Sequence, residues 1–340
     1  MKKVRFGKTE LMVSEIAFGG IPIMRVPKAD AVKLVRETIG LGINFIDTAH
    51  VYADSEEKIG EAIKGLRRED IVIASKSTAD DKKTFEEDLA LSLKRLGLDY
   101  IDIYQLHNVG SQARRDAVFA PRGAYEGLLE AIETRKVRFP AFSSHNIPLA
   151  IEIMKGGKFA AVQIPFNYID RDAEREIIPL AKELDMGFIA MKPMGGGLLE
   201  DAGLSFRYLM QYENIVPDPG IEKIEEIREI AGIVEQNRPL TAGDRKEIER
   251  LRAEFGPSWC HRCDYCQPCP RDIPISSILP AKSMVKRFTP ERAQAMLGCA
   301  IEKARTCLEC GDCMTRCPYN LEIPKLLKES KRQIARHLPK

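Results

Sequence analysis

The first 259 residues of this 340-residue chain contain no cysteine, and all nine cysteines lie between Cys260 and Cys317. No apolar run approaches the roughly 18–20 residues that a membrane-spanning helix needs. The segment Met1–Gly20 mixes charged residues into a strand-like pattern and lacks the apolar core of a signal peptide. These absences argue against a secreted disulfide scaffold and predict a cytoplasmic protein without a membrane partner.

An excess of charge of one sign is also lacking. The 52 lysine and arginine residues nearly balance 50 aspartate and glutamate residues, which gives a net charge of +2. This balance provides no electrostatic reason to expect nucleic acid or an anionic membrane as a partner. The hydrophobic fraction of 44% is ample for a large buried core, and a chain of this length can hold one large and one small domain.

Short apolar runs alternate with amphipathic helical patterns up to about residue 236. The predicted strands are Ile16–Phe18, Asn44–Asp47, Ile71–Ser75, Ile101–His107, Val137–Ser143, Ala161–Pro165, Gly187–Met191 and Ile215–Pro217. The predicted helices include Ala31–Leu41, Glu57–Lys64, Phe85–Leu96, Tyr125–Thr134, Glu174–Leu184 and Ile224–Val234. Apolar strands separated by helices indicate a parallel sheet covered by helices. Eight such units favour a closed (β/α)8 TIM barrel, and the lack of Gly-x-Gly-x-x-Gly after the first strand disfavours an open dinucleotide-binding sheet.

The barrel pattern is flanked by a hairpin and by a second domain. Val4–Phe6 and Leu11–Val13 are expected to pair and to close the bottom of the barrel. Pro239 and Gly243 interrupt the pattern, so we predict a barrel domain over residues 1–240 and a C-terminal domain over 241–340. The second domain is expected to be small and mainly helical, with helical patterns at 245–255 and 280–304 on either side of the first cysteine cluster.

Four polar residues lie at the carboxyl ends of successive predicted strands, the face where barrel active sites are built. Asp47 and Tyr52 follow strand 2, Lys76 ends strand 3 and His107 ends strand 4. Any one of them alone would be an ordinary structural residue. Their order and placement resemble the Asp, Tyr, Lys and His tetrad of the aldo-keto reductases, and the continuation 54–60 is also similar to that family.

The resemblance implies an oxidoreductase that transfers a hydride between NAD(P)(H) and a small carbonyl or alcohol substrate. Tyr52 would be the general acid, although an unperturbed tyrosine pKa of about 10 is too high for efficient proton donation near neutral pH. A nearby Lys76 ammonium would lower that pKa because it favours the phenolate. Asp47 would pair with Lys76, and His107 would orient the carbonyl.

The resemblance also implies a set of coenzyme contacts after strands 5 to 8. Serines after strand 5 and a glutamine in strand 6 match the family's contacts to the nicotinamide carboxamide. The loop after strand 7 resembles the pyrophosphate loop, where glycine allows close approach of backbone N–H groups to phosphate. The expected coenzyme-binding residues are Ser143, Ser144, Gln163, Met191, Lys192, Pro193, Met194, Gly195 and Gly220.

Two departures from the family leave the choice between NAD and NADP open. Met191 stands where an aromatic residue commonly stacks on the nicotinamide. Four glutamates occupy the segment that often binds a 2′-phosphate, at Glu222, Glu225, Glu226 and Glu229. His50 and His145 lie near the same face and are candidates for lining the pocket.

The cysteines form two runs, each followed by proline. The first is Cys260-x2-Cys263-x2-Cys266-x2-Cys269-Pro270, and the second is Cys307-x2-Cys310-x2-Cys313-x3-Cys317-Pro318. The second run matches the bacterial [4Fe–4S] spacing, and the region resembles dicluster ferredoxin domains. That resemblance implies one cluster on Cys260, Cys263, Cys266 and Cys317, and another on Cys269, Cys307, Cys310 and Cys313. A pair of tetrahedral zinc sites is the alternative; Cys299 is expected to be a buried structural thiol.

Two other functions remain open. The barrel could be a scaffold with structural clusters, or the chain could be a ferredoxin-linked electron-transfer protein with the barrel as a docking platform. In the leading interpretation the two [4Fe–4S] clusters relay electrons, with a ferredoxin or another redox protein as candidate partner, or stabilise the domain. Direct transfer from cluster to nicotinamide is not expected, because clusters move single electrons and nicotinamide takes a hydride.

Overall fold

The computed structural model describes residues 1–335, apart from the side chains of Lys282, Lys286 and Arg287. Two compact units form, one from Met1–Met194 with Asp201–Pro239 and the other from Gly195–Glu200 with Leu240–Lys340. The last five residues of the proposed C-terminal domain lie outside the described part of the chain.

The first unit is built around an eight-stranded parallel sheet that closes into a barrel. A hairpin of β1 (Lys3–Arg5) and β2 (Met12–Ser14) precedes it. The barrel strands are β3 (Phe18–Gly19), β4 (Phe45–Asp47), β5 (Val72–Ser77), β6 (Ile101–Leu106), β7 (Val137–Ser143), β8 (Ala161–Pro165), β9 (Gly187–Met191) and β10 (Val216–Asp218). The two edges are joined by backbone hydrogen bonds from Ala17 to Pro217 and from Gly19 to Pro219, both 2.8 Å. The predicted (β/α)8 class is confirmed.

Helices connect the strands on the outside. They are α1 (Lys28–Gly40), α2 (Ser55–Ile63), α3 (Lys82–Leu96), α4 (Gln112–Phe119), α5 (Ala124–Glu133), α6 (Ile147–Lys155), α7 (Asp172–Arg175), α8 (Ile177–Glu183), α9 (Ala202–Leu209) and α10 (Ile224–Gln236). The single helix predicted over 174–184 is instead two helices that meet at Glu176. Pro179 explains the break, because it has no N–H to donate to the carbonyl of Arg175.

The barrel interior follows the two-residue alternation of strands. Its lower layers are apolar and include Phe45, Ala74, Ile103 and Val216. The hairpin seals this end, since Phe6 packs edge-to-face on Phe45 with ring centroids 5.3 Å apart. The structure therefore contains the predicted hairpin at the bottom of the barrel, and the opposite, carboxyl end of the strands is where a polar site is expected.

The second unit is helical within its described residues. Its helices are α11 (Ala242–Phe255), α12 (Ile275–Ile278), α13 (Ala281–Arg287), α14 (Pro290–Ala304), α15 (Asp312–Thr315) and α16 (Ile323–Ala335). The helical stretch predicted over 280–304 is interrupted at Phe288, because the Thr289 side chain caps a new helix by accepting from the Arg292 N–H. Isoleucines and leucines, such as Ile278 and Leu327, form a core beside the cysteines. No helix within residues 1–335 is long and apolar enough to cross a membrane.

Candidate functional site

A layer of polar side chains crosses the mouth of the barrel, and we call it the polar layer. Each member lies two residues beyond a core residue of its strand, so strand alternation turns it inward. The members are Asp47, Lys76, Gln105, Ser143, Gln163 and Asp218, each at most 9% exposed. Buried polar groups of this kind must satisfy one another or a ligand.

The four predicted catalytic residues meet at this mouth. Lys76 Nζ donates to Asp47 Oδ2 and to the Thr48 carbonyl, both at 2.5 Å. The same ammonium lies 5.2 Å from the centre of the Tyr52 ring. The Tyr52 and His107 rings meet edge-to-face with centroids 5.8 Å apart. The geometry therefore brings an acid, a cation and an imidazole together, and their catalytic roles stay a prediction.

The charge of Lys76 is maintained by its surroundings. Burial by itself lowers the pKa of this lysine, but its interactions with Asp47, Tyr52 and Asp218 outweigh burial and raise the pKa above its ordinary value. Lys76 is therefore an ammonium at neutral pH. A fixed cation at this point favours a developing negative charge nearby.

The three residues expected to hold a nicotinamide carboxamide lie side by side. Ser143 Oγ accepts from the Asn108 N–H at 2.8 Å, and Ser144 Oγ donates to the Val109 carbonyl at 2.8 Å. Gln163 is 2% exposed, and its Oε1 finds no hydrogen-bond partner among the described residues. An unsatisfied buried acceptor is costly unless a ligand supplies a donor, as a carboxamide NH2 would.

The expected coenzyme residues after β9 and β10 are divided between the two units. Met191, Lys192, Pro193 and Met194 belong to the first unit, whereas Gly195 groups with the second. Residue 195 has φ +57°, and a Cβ there would lie 2.5 Å from Trp259. At Gly220 a Cβ would lie 2.8 Å from Pro22. Close packing therefore accounts for both glycines, and their contact with a coenzyme stays a prediction.

His145 belongs to a hydrogen-bonded chain on the barrel mouth. Its Nε2 lies 2.9 Å from Lys192 Nζ, and its Nδ1 lies 3.0 Å from Asn108 Oδ1. The lysine can only donate, so this arrangement requires a neutral imidazole with its proton on Nδ1. Asn108 directly follows His107, so these hydrogen bonds link the loop after β9 to the end of β6.

The His50 side chain contacts helix α3. Its Nε2 lies 3.1 Å from Asp88 of α3, and Ser77 Oγ donates to the same carboxylate at 2.5 Å. The His50 backbone N–H donates to the Lys76 carbonyl at 2.9 Å. This histidine therefore braces the loop that carries Tyr52.

Ion pairs already neutralise the two arginines beside the loop that follows β10. Arg25 pairs with Glu222, and Arg228 pairs with Glu37. Glu226 accepts the backbone N–H groups of Glu222 and Lys223 at 2.9 and 3.1 Å. Neither arginine is an uncommitted partner for an additional phosphate.

The second unit brings the cysteines together across the two runs. One cavity is lined by Cys269, Cys307, Cys310 and Cys313. Another is lined by Cys260, Cys263, Cys266 and Cys317. These are the two sets implied by the dicluster resemblance. Arg316 ties the runs together, since its Nη2 donates to the Pro268 carbonyl at 2.7 Å.

The environments of individual thiols differ. Burial raises the pKa of Cys260 and of Cys266 to about 12, so a metal would have to displace their protons on binding. Within residues 1–335, no three His, Cys, Asp or Glu side chains are placed to hold a single metal ion. Cys299 is exposed on α14. The expectation of a buried structural thiol there is wrong, because that position faces outward between buried Leu297 and Ala300.

Sequence reasoning missed Gln105 and Asp218. Gln105 Nε2 donates to Asp47 Oδ1 at 3.2 Å. Gln163 Nε2 donates to Asp218 Oδ2 at 2.9 Å and lies 3.3 Å from Asp47 Oδ2. Both missed residues carry the signal of a polar side chain two positions after an apolar one in a buried strand.

Models of known protein families match both the barrel region and the cysteine-rich region of the chain. The aldo/keto reductase family model matches residues 15–205, and a 4Fe-4S dicluster domain model matches residues 259–322. An uncharacterized oxidoreductase of Bacillus subtilis is 31% identical over 268 residues, which cover 75% of this chain and 84% of that protein. The NADH-specific methylglyoxal reductase of Escherichia coli is 27% identical over 58% of this chain and 69% of its own length.

The fold comparison agrees with the sequence comparison. The holo form of an aldo-keto reductase from Bacillus halodurans superposes with a TM-score of 0.63 at 26% identity, over 74% of this chain and 96% of that one. The chain therefore belongs to the aldo/keto reductase family of oxidoreductases and carries a 4Fe-4S dicluster domain after its barrel.

Proposed function

We propose that the protein reduces a small carbonyl compound, or oxidises the matching alcohol, with a nicotinamide coenzyme. The observation that supports this most is the buried Lys76–Asp47 pair beneath the Tyr52 ring, with His107 at its edge. When bound, the coenzyme would supply or take up the hydride. Gln163, with its unsatisfied Oε1, and the adjacent Ser143 and Ser144 would hold the carboxamide.

The chain's own residues would handle the proton. Tyr52 would donate its hydroxyl proton to the substrate oxygen as negative charge develops there. The Lys76 ammonium would stabilise the phenolate that remains, and Asp47 would fix the position of that ammonium. His107 would orient the carbonyl toward Tyr52. A direct test is oxidation of NADH or NADPH by the purified protein with a panel of aldehydes and ketones, where no turnover would contradict the proposal.

We further propose that the two cysteine sets hold two [4Fe–4S] clusters. When bound, a cluster carries electrons one at a time, so relay to a ferredoxin or another redox protein is a role for them beside domain stability. Protein purified without oxygen should therefore contain about eight iron and about eight acid-labile sulfide per chain. Metal and sulfide analysis of protein from iron-replete cells is the measurement. A preparation with zinc and no iron would contradict this assignment.

The expected preference between NADH and NADPH follows from the ion pairs beside the loop after β10. We expect NADH to serve at least as well as NADPH, because the 2′-phosphate would approach glutamates and arginines that are already paired. The NADH specificity in the name of the Escherichia coli relative agrees with this. Steady-state kinetics with both coenzymes would decide, and a preference for NADPH above about tenfold, roughly 1.4 kcal/mol, would contradict the expectation.

A matched pair of variants tests the physical cause. Glu222→Gln should shift the coenzyme ratio toward NADPH, because it releases Arg25 from its ion pair. Glu225→Gln removes the same charge from an exposed position on α10 and should shift the ratio less.

A further inference from the structure

The polar layer contains more buried negative charge than positive charge. Asp47 and Asp218 are carboxylates, and Lys76 is the one cation among the six residues of this layer. Asp47 is matched by Lys76 at 2.5 Å. The layer thus brings two carboxyl groups into surroundings of low dielectric, where a charge acts strongly on a group bound nearby.

Asp218 is built into the mouth of the barrel. It ends β10, two residues after the core residue Val216, and 9% of its surface is exposed. Gly19 makes room for its carboxylate, since a Cβ at residue 19 would lie 2.6 Å from Asp218 Oδ1. From β8, two strands away in the sheet, Gln163 donates one amide N–H group to this carboxylate at 2.9 Å. The carboxylate is therefore fixed by the barrel backbone and by the glutamine.

The same glutamine connects this charge to the ligand site. Its Nε2 lies between Asp218 Oδ2 and Asp47 Oδ2, at 2.9 and 3.3 Å, so the amide oxygen is turned away from both carboxylates. That oxygen is buried and finds no partner among the described residues. A bound donor at Gln163 Oε1 would thus lie one amide group away from the Asp218 charge.

We infer that Asp218 sets a preference for the oxidised coenzyme over the reduced one. This rests on the proposed function, in which Gln163 holds the nicotinamide carboxamide. The oxidised ring carries a positive charge and the reduced ring carries none, whereas the rest of the coenzyme is the same. A fixed negative charge near the ring therefore stabilises the oxidised form selectively, and low-dielectric surroundings strengthen the effect.

The test is the ratio of dissociation constants for NADH and NAD⁺, measured by equilibrium titration without substrate. The wild-type protein should bind NAD⁺ at least as tightly as NADH. Asp218→Asn keeps the size and an acceptor for Gln163 but removes the charge. It should weaken NAD⁺ binding by about tenfold, equivalent to about 1.4 kcal/mol, and leave NADH binding within about twofold.

Control variants separate this effect from general damage. Asp185→Asn removes a half-exposed carboxylate, paired with Arg5, just before β9 at the other end of the barrel, and it should leave the ratio unchanged. Asp218→Ser removes the charge with a smaller side chain and should shift the ratio in the same direction if the asparagine variant does not fold. Thermal unfolding and NADH binding identify the folded variants.

The outcomes distinguish this inference from the proposed function. An unchanged ratio in a folded Asp218 variant would overturn the inference alone, as would a wild-type protein that binds NADH more than about tenfold tighter than NAD⁺. Wild-type protein that binds neither coenzyme would overturn the proposed function and the inference with it.

Discussion

Replacing Tyr52 with phenylalanine should lower carbonyl reduction by at least about 10²-fold, the lower end of the range for loss of a general acid. The hydroxyl is the group that would give its proton to the substrate oxygen, and the Lys76 ammonium cannot take its place while Asp47 and the Thr48 carbonyl hold it. The ring itself remains, so its edge contact with His107 can persist. The measurement is turnover with the best carbonyl substrate and the preferred coenzyme.

Coenzyme binding supplies the control within the same variant. The predicted coenzyme residues do not include Tyr52, so the dissociation constant for NADH should stay near the wild-type value. Tyr125→Phe is the matched substitution elsewhere, because Tyr125 lies on the outer helix α5 and packs against Phe119 and Phe159. It should retain wild-type turnover. Unchanged turnover in Tyr52→Phe would remove this residue from the mechanism.

The barrel was predictable because its signals are local. Apolar strands of three to seven residues and amphipathic helices can each be recognised from a short stretch of sequence. Eight such units then favour a closed barrel. The helix predicted over 174–184 failed for a local reason too, since Pro179 interrupts the hydrogen bonding. The hydrophobic periodicity continues across Glu176, so it does not show that one helix ends and another begins at this residue.

The candidate site was predictable in part. Asp47, Tyr52, Lys76 and His107 were found by resemblance, and the structure brings them to one mouth. Asp218 was missed because its place in the site depends on a hydrogen bond with Gln163, which lies 55 residues earlier in the chain. Cys299 was misjudged because burial on a helix depends on which face packs, and α14 turns that residue outward.

Cysteine variants should reveal that each cluster draws ligands from both runs. The double variant Cys263→Ser/Cys317→Ser changes two residues that line one cavity, although they lie 54 positions apart in sequence. It should lose one cluster and retain about four iron per chain. The double variant Cys313→Ser/Cys317→Ser changes two neighbours in sequence that line different cavities. It should lose both clusters and retain almost no iron.

The two double variants distinguish the two ligand assignments, because the alternative assignment predicts the opposite iron contents. If each run of four cysteines held its own cluster, Cys313→Ser/Cys317→Ser would keep half of the iron and Cys263→Ser/Cys317→Ser would lose all of it. Cys299→Ser is the matched control, because this exposed thiol lines neither cavity, and it should keep the full iron content. Iron and sulfide analysis on protein purified without oxygen decides between the two patterns. The large expected difference arises because a cubane cluster needs four thiolates, and serine is a poor substitute for the soft sulfur ligand.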